Sequence, residues 1–276
     1  TIGMLMATFI VSLVTLFSEE QFLSWGWRIP FLLSSVLVLI GLWIRKDIDE
    51  TPEFKQVKQS GQVAKAPLRD TLKYHWREVL IAAGLKVVET APFYIFSTFV
   101  VSYATTTLSY QKSQALEAVT LGALVATVMI PLMGLLSDRI GRQKMYTLSV
   151  VLLGLFIVPW FLLLDTRSTW GIALATVIAF GILWAPVTAV LGTLCSEIFS
   201  ANVRYTGITL GYQLGAALAG GTAPLIATGL LAKYDGDWIP VAWYLAGTVV
   251  ISLIAIFCAS RLKQAPGAVA TRSEML

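Results

Sequence analysis

GLLSDRIGRQKMY, residues Gly134 to Tyr146, is a brief charged break between two long apolar runs. The run before it, Ala115–Leu136, and the run after it, Met145–Leu164, each hold about 20 residues, the length at which a helix crosses bilayer hydrocarbon. Inside lipid every backbone N–H and C=O must be satisfied within its own segment, so each run is expected to be a helix. Asp138 and Arg142 lie four apart, at the end of the first helix and in the turn after it. Gly141 lets the chain reverse sharply there, and Gly134 permits close approach of a neighbouring helix.

The same reading extends over the whole chain. Its 276 residues are 57% hydrophobic and 13% charged, against roughly 25% charged in soluble domains. The mean hydropathy is +0.76. Eight spans are predicted, at Thr1–Phe17, Trp27–Ile44, Val79–Ala104, Ala115–Leu136, Met145–Leu164, Trp170–Cys195, Tyr205–Ala232 and Pro240–Ser260. The fold class is therefore an all-α, polytopic membrane helical bundle. No signal peptide is expected, because the apolar run begins at Thr1 without a charged leader or a small-residue cleavage site.

Charge is distributed unevenly between the connections. Arg45–Arg77, Ser137–Lys144, Ser196–Arg204 and the tail from Arg261 hold most of the Lys and Arg. The opposite side carries only Arg28, Lys112, Arg167 and Lys233. The positive-inside rule places the richer group, and with it both termini of this chain, in the cytoplasm. This distribution assigns the net charge of +4 to orientation in a lipid bilayer, not to nucleic acid. Trp25, Trp27, Trp170 and Trp238 fit interfacial anchors, or else ordinary packing. Cys195 and Cys258 lie in separate apolar runs and suggest neither a metal site nor a disulfide framework. The long connection holds the only histidine, His75. Its segment PLRDTLKYHW suits a short helix on the membrane surface, with a plain solvated linker as the alternative.

GLLSDRIGRQKMY resembles the G-x-x-x-D-R-x-G-R-[RK] loop of the major facilitator superfamily. SWGWRIPFLLS at Ser24–Ser34, ETPEFK at Glu50–Lys55 and the long stretch Ser196–Leu231 resemble its metabolite:proton symporter branch, which includes transporters of shikimate, proline/betaine and 2-oxoglutarate. The resemblance implies a twelve-helix fold in two halves, with this chain corresponding to helices five to twelve. It implies residues 1–44 as the last two helices of an N-terminal bundle and 45–76 as a cytoplasmic inter-bundle linker. Residues 77–260 would form a six-helix C-terminal bundle and 261–276 a cytoplasmic tail. A polypeptide supplying helices one to four would then be a partner. The resemblance also implies a conformational switch at Gly134, Asp138, Arg139, Gly141 and Arg142, with Glu197 and Arg204 joining the same charge cluster. For Arg139 the alternative is plain positive-inside charge.

The least expected residues lie in GLKVVETAPF, Gly84 to Phe93. A charge near the bilayer centre costs about 2.5–3.5 kcal/mol on insertion scales. At 100° per residue, Lys86, Glu89, Thr90, Phe93 and Ser97 share one face, which should line protein or water. In one reading Lys86 and Glu89 merely neutralise each other at i, i+3. In the other, Lys86 draws an anionic substrate and Glu89 takes and releases a proton. Desolvation favours the neutral carboxyl and the adjacent ammonium favours the carboxylate, so the two effects oppose. Tyr94, Trp184, Thr188, Tyr212 and Gln213 are further cavity candidates, each with packing as its alternative. Pro92 removes a backbone donor and loosens the helix nearby.

The function these readings predict is secondary active transport: proton-coupled symport of a small organic acid or zwitterion across a bacterial-type inner membrane. The proton gradient drives it and no cofactor is expected. A transport-inactive remnant and an uncoupled facilitator are the alternatives. An enzyme is not expected, for the chain has no H-E-x-x-H motif and its one histidine lies in the linker; no Walker-type loop suggests ATP drive.

Overall fold

The computed structural model describes residues 24–47, 67–200 and 203–264, with single positions at 3, 10 and 21. All of the secondary structure among them is helical. Seven helices among the described residues are long and apolar enough to cross a membrane. The predicted span Thr1–Phe17 and the tail beyond 264 lie outside the described residues. The chain divides into two compact units, Thr1–Gln62 and Val63–Leu276.

In the first unit a 3-10 turn, Gly26–Arg28, leads into α1, Ile29–Asp47. The Arg28 guanidinium lies 4.4 Å over the Trp27 ring and donates to the Ser24 carbonyl at 2.8 Å. Trp25 and Trp27 are exposed, as interfacial residues would be.

The second unit opens with a short helix, α2, Pro67–Tyr74. It takes up the segment expected to be either a surface helix or a plain linker. Thr71 is buried beneath it, while Leu68 and Leu72 are exposed. Six spans follow: α3, Trp76–Thr106; α4, Lys112–Ile140; α5, Arg142–Asp165; α6, Thr169–Ser196; α7, Arg204–Lys233; and α8, Ile239–Gln264. Each runs a few residues beyond its predicted apolar stretch, because polar residues continue a helix past the hydrocarbon. Helix α3 is central and packs on α8, α7 and α6; α4 lies against α6, and α5 against α6 and α8.

The core is aromatic at one end. Phe96, Trp160, Phe161 and Tyr103 are fully buried in a chain of edge contacts with centroids 4.7 to 5.9 Å apart. Trp238 stacks on Phe161 at 4.8 Å and donates its indole N–H to Asp165 at 2.9 Å. It is therefore tied to the bundle, whereas Trp170 is 81% exposed.

Three of the spans are not uniform α-helices. A π segment interrupts α3 at Ile95–Phe99, α6 at Val177–Leu183 and α7 at Ala216–Gly220. The apolar pattern predicts unbroken helices there, because hydropathy does not register a one-residue widening of a turn. Pro92, just before the first segment, supplies a local cause in α3.

Close approach to α3 depends on small residues. A Cβ at Gly84 would fall 2.8 Å from the Ala255 Cβ on α8, and one at Gly211 would fall 2.6 Å from the Ala82 Cβ. A Cβ at Gly215 would meet the Lys86 Cβ at 2.7 Å. Among the described residues nothing lies within 4 Å of the Gly134 Cβ position. Gly84→Ala should therefore destabilise the purified chain by about 1–3 kcal/mol through overpacking, while Gly134→Ala leaves stability nearly unchanged. Thermal unfolding of both variants followed by circular dichroism in detergent checks the contrast.

Candidate functional site

Glu89 projects from the middle of α3 into the bundle. Its Oε2 lies 2.5 Å from the Lys86 ammonium, and both side chains are largely sheltered, at 17% exposure for Lys86 and 13% for Glu89. The i, i+3 spacing puts them one above the other on one face. Thr90 Oγ1 is 2.9 Å from Glu89 Oε2 and 3.0 Å from the Lys86 carbonyl, and its one proton serves one of them at a time. Thr188 on α6 donates to Glu89 Oε1 at a long 3.4 Å. The carboxylate thus has three side-chain partners around it, Lys86, Thr90 and Thr188.

Trp184, expected to line a cavity or else to pack, lies inside the bundle. It is only 3% exposed, and its indole N–H donates to the Glu89 backbone carbonyl at 2.6 Å. It supports the site from behind. Its ring packs against Phe93 at 5.3 Å and Phe180 at 5.2 Å. Tyr94 is 38% exposed and meets Phe93 edge-on at 5.4 Å.

Tyr212 completes the Lys86 environment from α7. The ammonium lies 4.8 Å from the centre of its ring, a cation–π distance. The Cys195 thiol of α6 lies beside the Tyr212 phenol. Gln213, the next residue, is exposed. Ser97, expected on the same face, is buried and donates to the Phe93 carbonyl of its own helix at 2.6 Å. Ser252 and Tyr146, which sequence reasoning did not single out, reach the α3 backbone beside the pair. Their only sequence signal is a hydroxyl inside an apolar run.

The second cluster lies at the α4–α5 turn. Gly141 sits at φ 99°, a conformation L side chains rarely adopt, and this permits the reversal. Arg142 reaches Glu197 Oε1 at 2.7 Å and Asp138 Oδ1 at 3.4 Å, so one guanidinium spans the ends of α4 and α6. Glu197 is part of this cluster. Arg204 Nε points to the Phe199 carbonyl at 3.4 Å. Arg139 is exposed and forms no ion pair among the described residues. An open cleft of about 940 Å³ adjoins the turn, lined in part by Asp138, Arg142, Lys144, Thr147 and Glu197. Among the described residues no group of three or more His, Cys, Asp or Glu could hold a metal.

The profile of the Major Facilitator Superfamily matches residues 1–220 and again 87–274. The chain belongs to the major facilitator superfamily. It is 34% identical over 259 residues to the shikimate transporter of Escherichia coli (strain K12), covering 92% of this chain and 59% of that protein. It is 30% identical over 257 residues to the proline/betaine transporter of the same organism, covering 89% of this chain and 50% of that one. It is 30% identical over 258 residues to the alpha-ketoglutarate permease of Escherichia coli (strain K12), covering 91% and 57%. The chain therefore spans about half to three-fifths of the length of these relatives. No solved structure matches it significantly. Membership of this superfamily of transporters agrees with the expectation that the chain is not an enzyme. The charged α4–α5 turn is built on Gly141 and a guanidinium between two carboxylates.

Replacing Trp184 by Phe keeps an aromatic ring against Phe93 and removes the donor to Glu89 O. The loss should be about 0.5–1.5 kcal/mol, the net worth of one hydrogen bond, and is measured by thermal unfolding of the purified variant.

Proposed function

We propose that this chain acts in proton-coupled symport of a small organic acid or zwitterion across a bacterial inner membrane by alternating access. The observation that carries this reading is the sheltered Lys86–Glu89 pair. As it stands the pair is neutral. An anionic substrate drawn to Lys86 would add one negative charge to a poorly hydrated site, at high cost. A proton on Glu89 restores neutrality, so substrate and proton each favour the other's binding, and by linkage the effect is reciprocal. That mutual preference is what symport requires. The relatives named above transport organic acids and zwitterions by their names, which supports the substrate class.

In this reading Tyr94, Thr188, Tyr212 and Gln213 lie at or near the substrate path, and Trp184 fixes the carboxylate's helix. Asp138, Arg142 and Glu197 form a cytoplasmic latch that opens as the bundle rocks, with Gly134, Arg139, Gly141 and Arg204 around it. Residues 45–76 link two bundles, residues 77–260 form the C-terminal one, and both termini of the chain are cytoplasmic.

The test is uptake of labelled shikimate, betaine and 2-oxoglutarate into transport-deficient cells. One strain carries this chain alone; another carries it behind the first four helices of the shikimate transporter. Accumulation of one solute, dependent on an imposed pH gradient, is expected in at least one strain. Glu89→Gln should abolish accumulation against a gradient while leaving downhill flux. Lys86→Gln should raise the half-saturating concentration about 10- to 100-fold, the worth of a hydrogen bond to a charged group. Accumulation that survives Glu89→Gln overturns the coupling reading, and uptake indifferent to pH favours an uncoupled facilitator.

A further inference from the structure

Ser252 lies midway along α8 and is fully buried. Its hydroxyl donates to the Gly84 carbonyl at 2.6 Å and accepts from the Val88 N–H at 3.1 Å. Gly84 and Val88 are four residues apart, so Ser252 bridges the two groups that an α-helix joins to each other. One carbonyl further along, the buried Tyr146 of α5 donates its phenol to Leu85 O at 2.7 Å. Trp184 of α6 donates to Glu89 O at 2.6 Å. Three carbonyls within two turns of α3 thus receive side-chain donors from three different helices.

This arrangement is more than solubilisation of stray hydroxyls. A buried hydroxyl in a span commonly bonds back to its own helix, as Ser149 does to Met145 O and Thr176 to Ile172 O. Ser252 and Tyr146 instead bond across to α3. At 100° per residue the three carbonyls spread over roughly 140° of the helix circumference. Donors fixed at that spread oppose both rotation of α3 and sliding along its axis. The stretch they hold carries Lys86 and Glu89 and lies just ahead of Pro92, where the helix's own hydrogen bonding is weakest. Gly84 makes the α8 contact possible, because any Cβ there would collide with Ala255.

We propose that Ser252 and Tyr146 are positioning residues, which act through the α3 backbone to set the rotation at which Lys86 and Glu89 meet each other and face α6 and α7. The inference rests on the reading of that pair as the coupling site and adds the parts that aim it. Neither residue has a hydrogen bond to the Lys86 or Glu89 side chain.

The test uses the full chain, purified in lipid nanodiscs, with Ser252→Ala, Ser252→Thr and Tyr146→Phe. Amide hydrogen exchange reports the local ladder. Infrared difference spectra, taken at one pH between each protein and its Glu89→Gln derivative, isolate the Glu89 carboxyl band. Ser252→Ala should speed exchange at Val88 about tenfold, the effect of losing one buried hydrogen bond, and shift the Glu89 band. Ser252→Thr, which keeps the hydroxyl, should restore both. Tyr146→Phe keeps the ring and the fold, and should shift the same band. A Glu89 band unmoved by Ser252→Ala and by Tyr146→Phe overturns the proposal, even if exchange at Val88 is faster, since the serine would then be structural only. A band that moves in a transporter whose accumulation ignores Glu89→Gln supports the positioning and sinks the coupling reading alone.

Discussion

A lysine and a glutamate 2.5 Å apart are sheltered together on the central helix, and removal of either leaves the other without its ion-pair partner. An unpaired buried charge of this kind costs several kcal/mol. The packing around α3 follows from that constraint. Helix α7 must come close enough to cover the lysine stem, so Gly215 lies against the Lys86 Cβ and Gly220 against Thr90 and Tyr94. Helix α6 must close the other side, which it does with Thr188 and Trp184. The ammonium then finds an aromatic face in place of water.

The two charge clusters of the molecule differ chiefly in their surroundings. Arg142 sits between two carboxylates at the surface, where water screens the attraction and an ion pair is worth little. Lys86 and Glu89 are sheltered, where the same attraction is strong and so is the penalty for disturbing it. In the proposed cycle, the first environment suits a contact that opens and closes, and the second suits one that responds to a single proton or anion.

The seven spans among the described residues were legible in the sequence because hydropathy and the positions of charges determine them almost without reference to tertiary structure. Lys86 and Glu89 were legible for the same reason: ionisable residues stand out in an apolar run, and helical periodicity placed them on one face. Glu197 was found as a neighbour of the Asp138–Arg142 turn, although its partner is 55 residues away. The part played by Trp184 was not legible. An indole facing a backbone carbonyl and an indole facing a solute look alike in one dimension. Ser252 and Tyr146 were missed because their partners are backbone atoms, which leave no mark on residue identity.

Each π segment holds one residue more than an α-helical turn would take in the same length. Deleting a single residue from Ile95–Phe99, Val177–Leu183 or Ala216–Gly220 would let that turn tighten to α geometry, and the faces above and below would keep their bearings. A deletion in an uninterrupted span such as α5 would instead swing every later side chain by about 100°. Tolerance of length change in this bundle is thus concentrated in α3, α6 and α7, the helices that surround the ion pair.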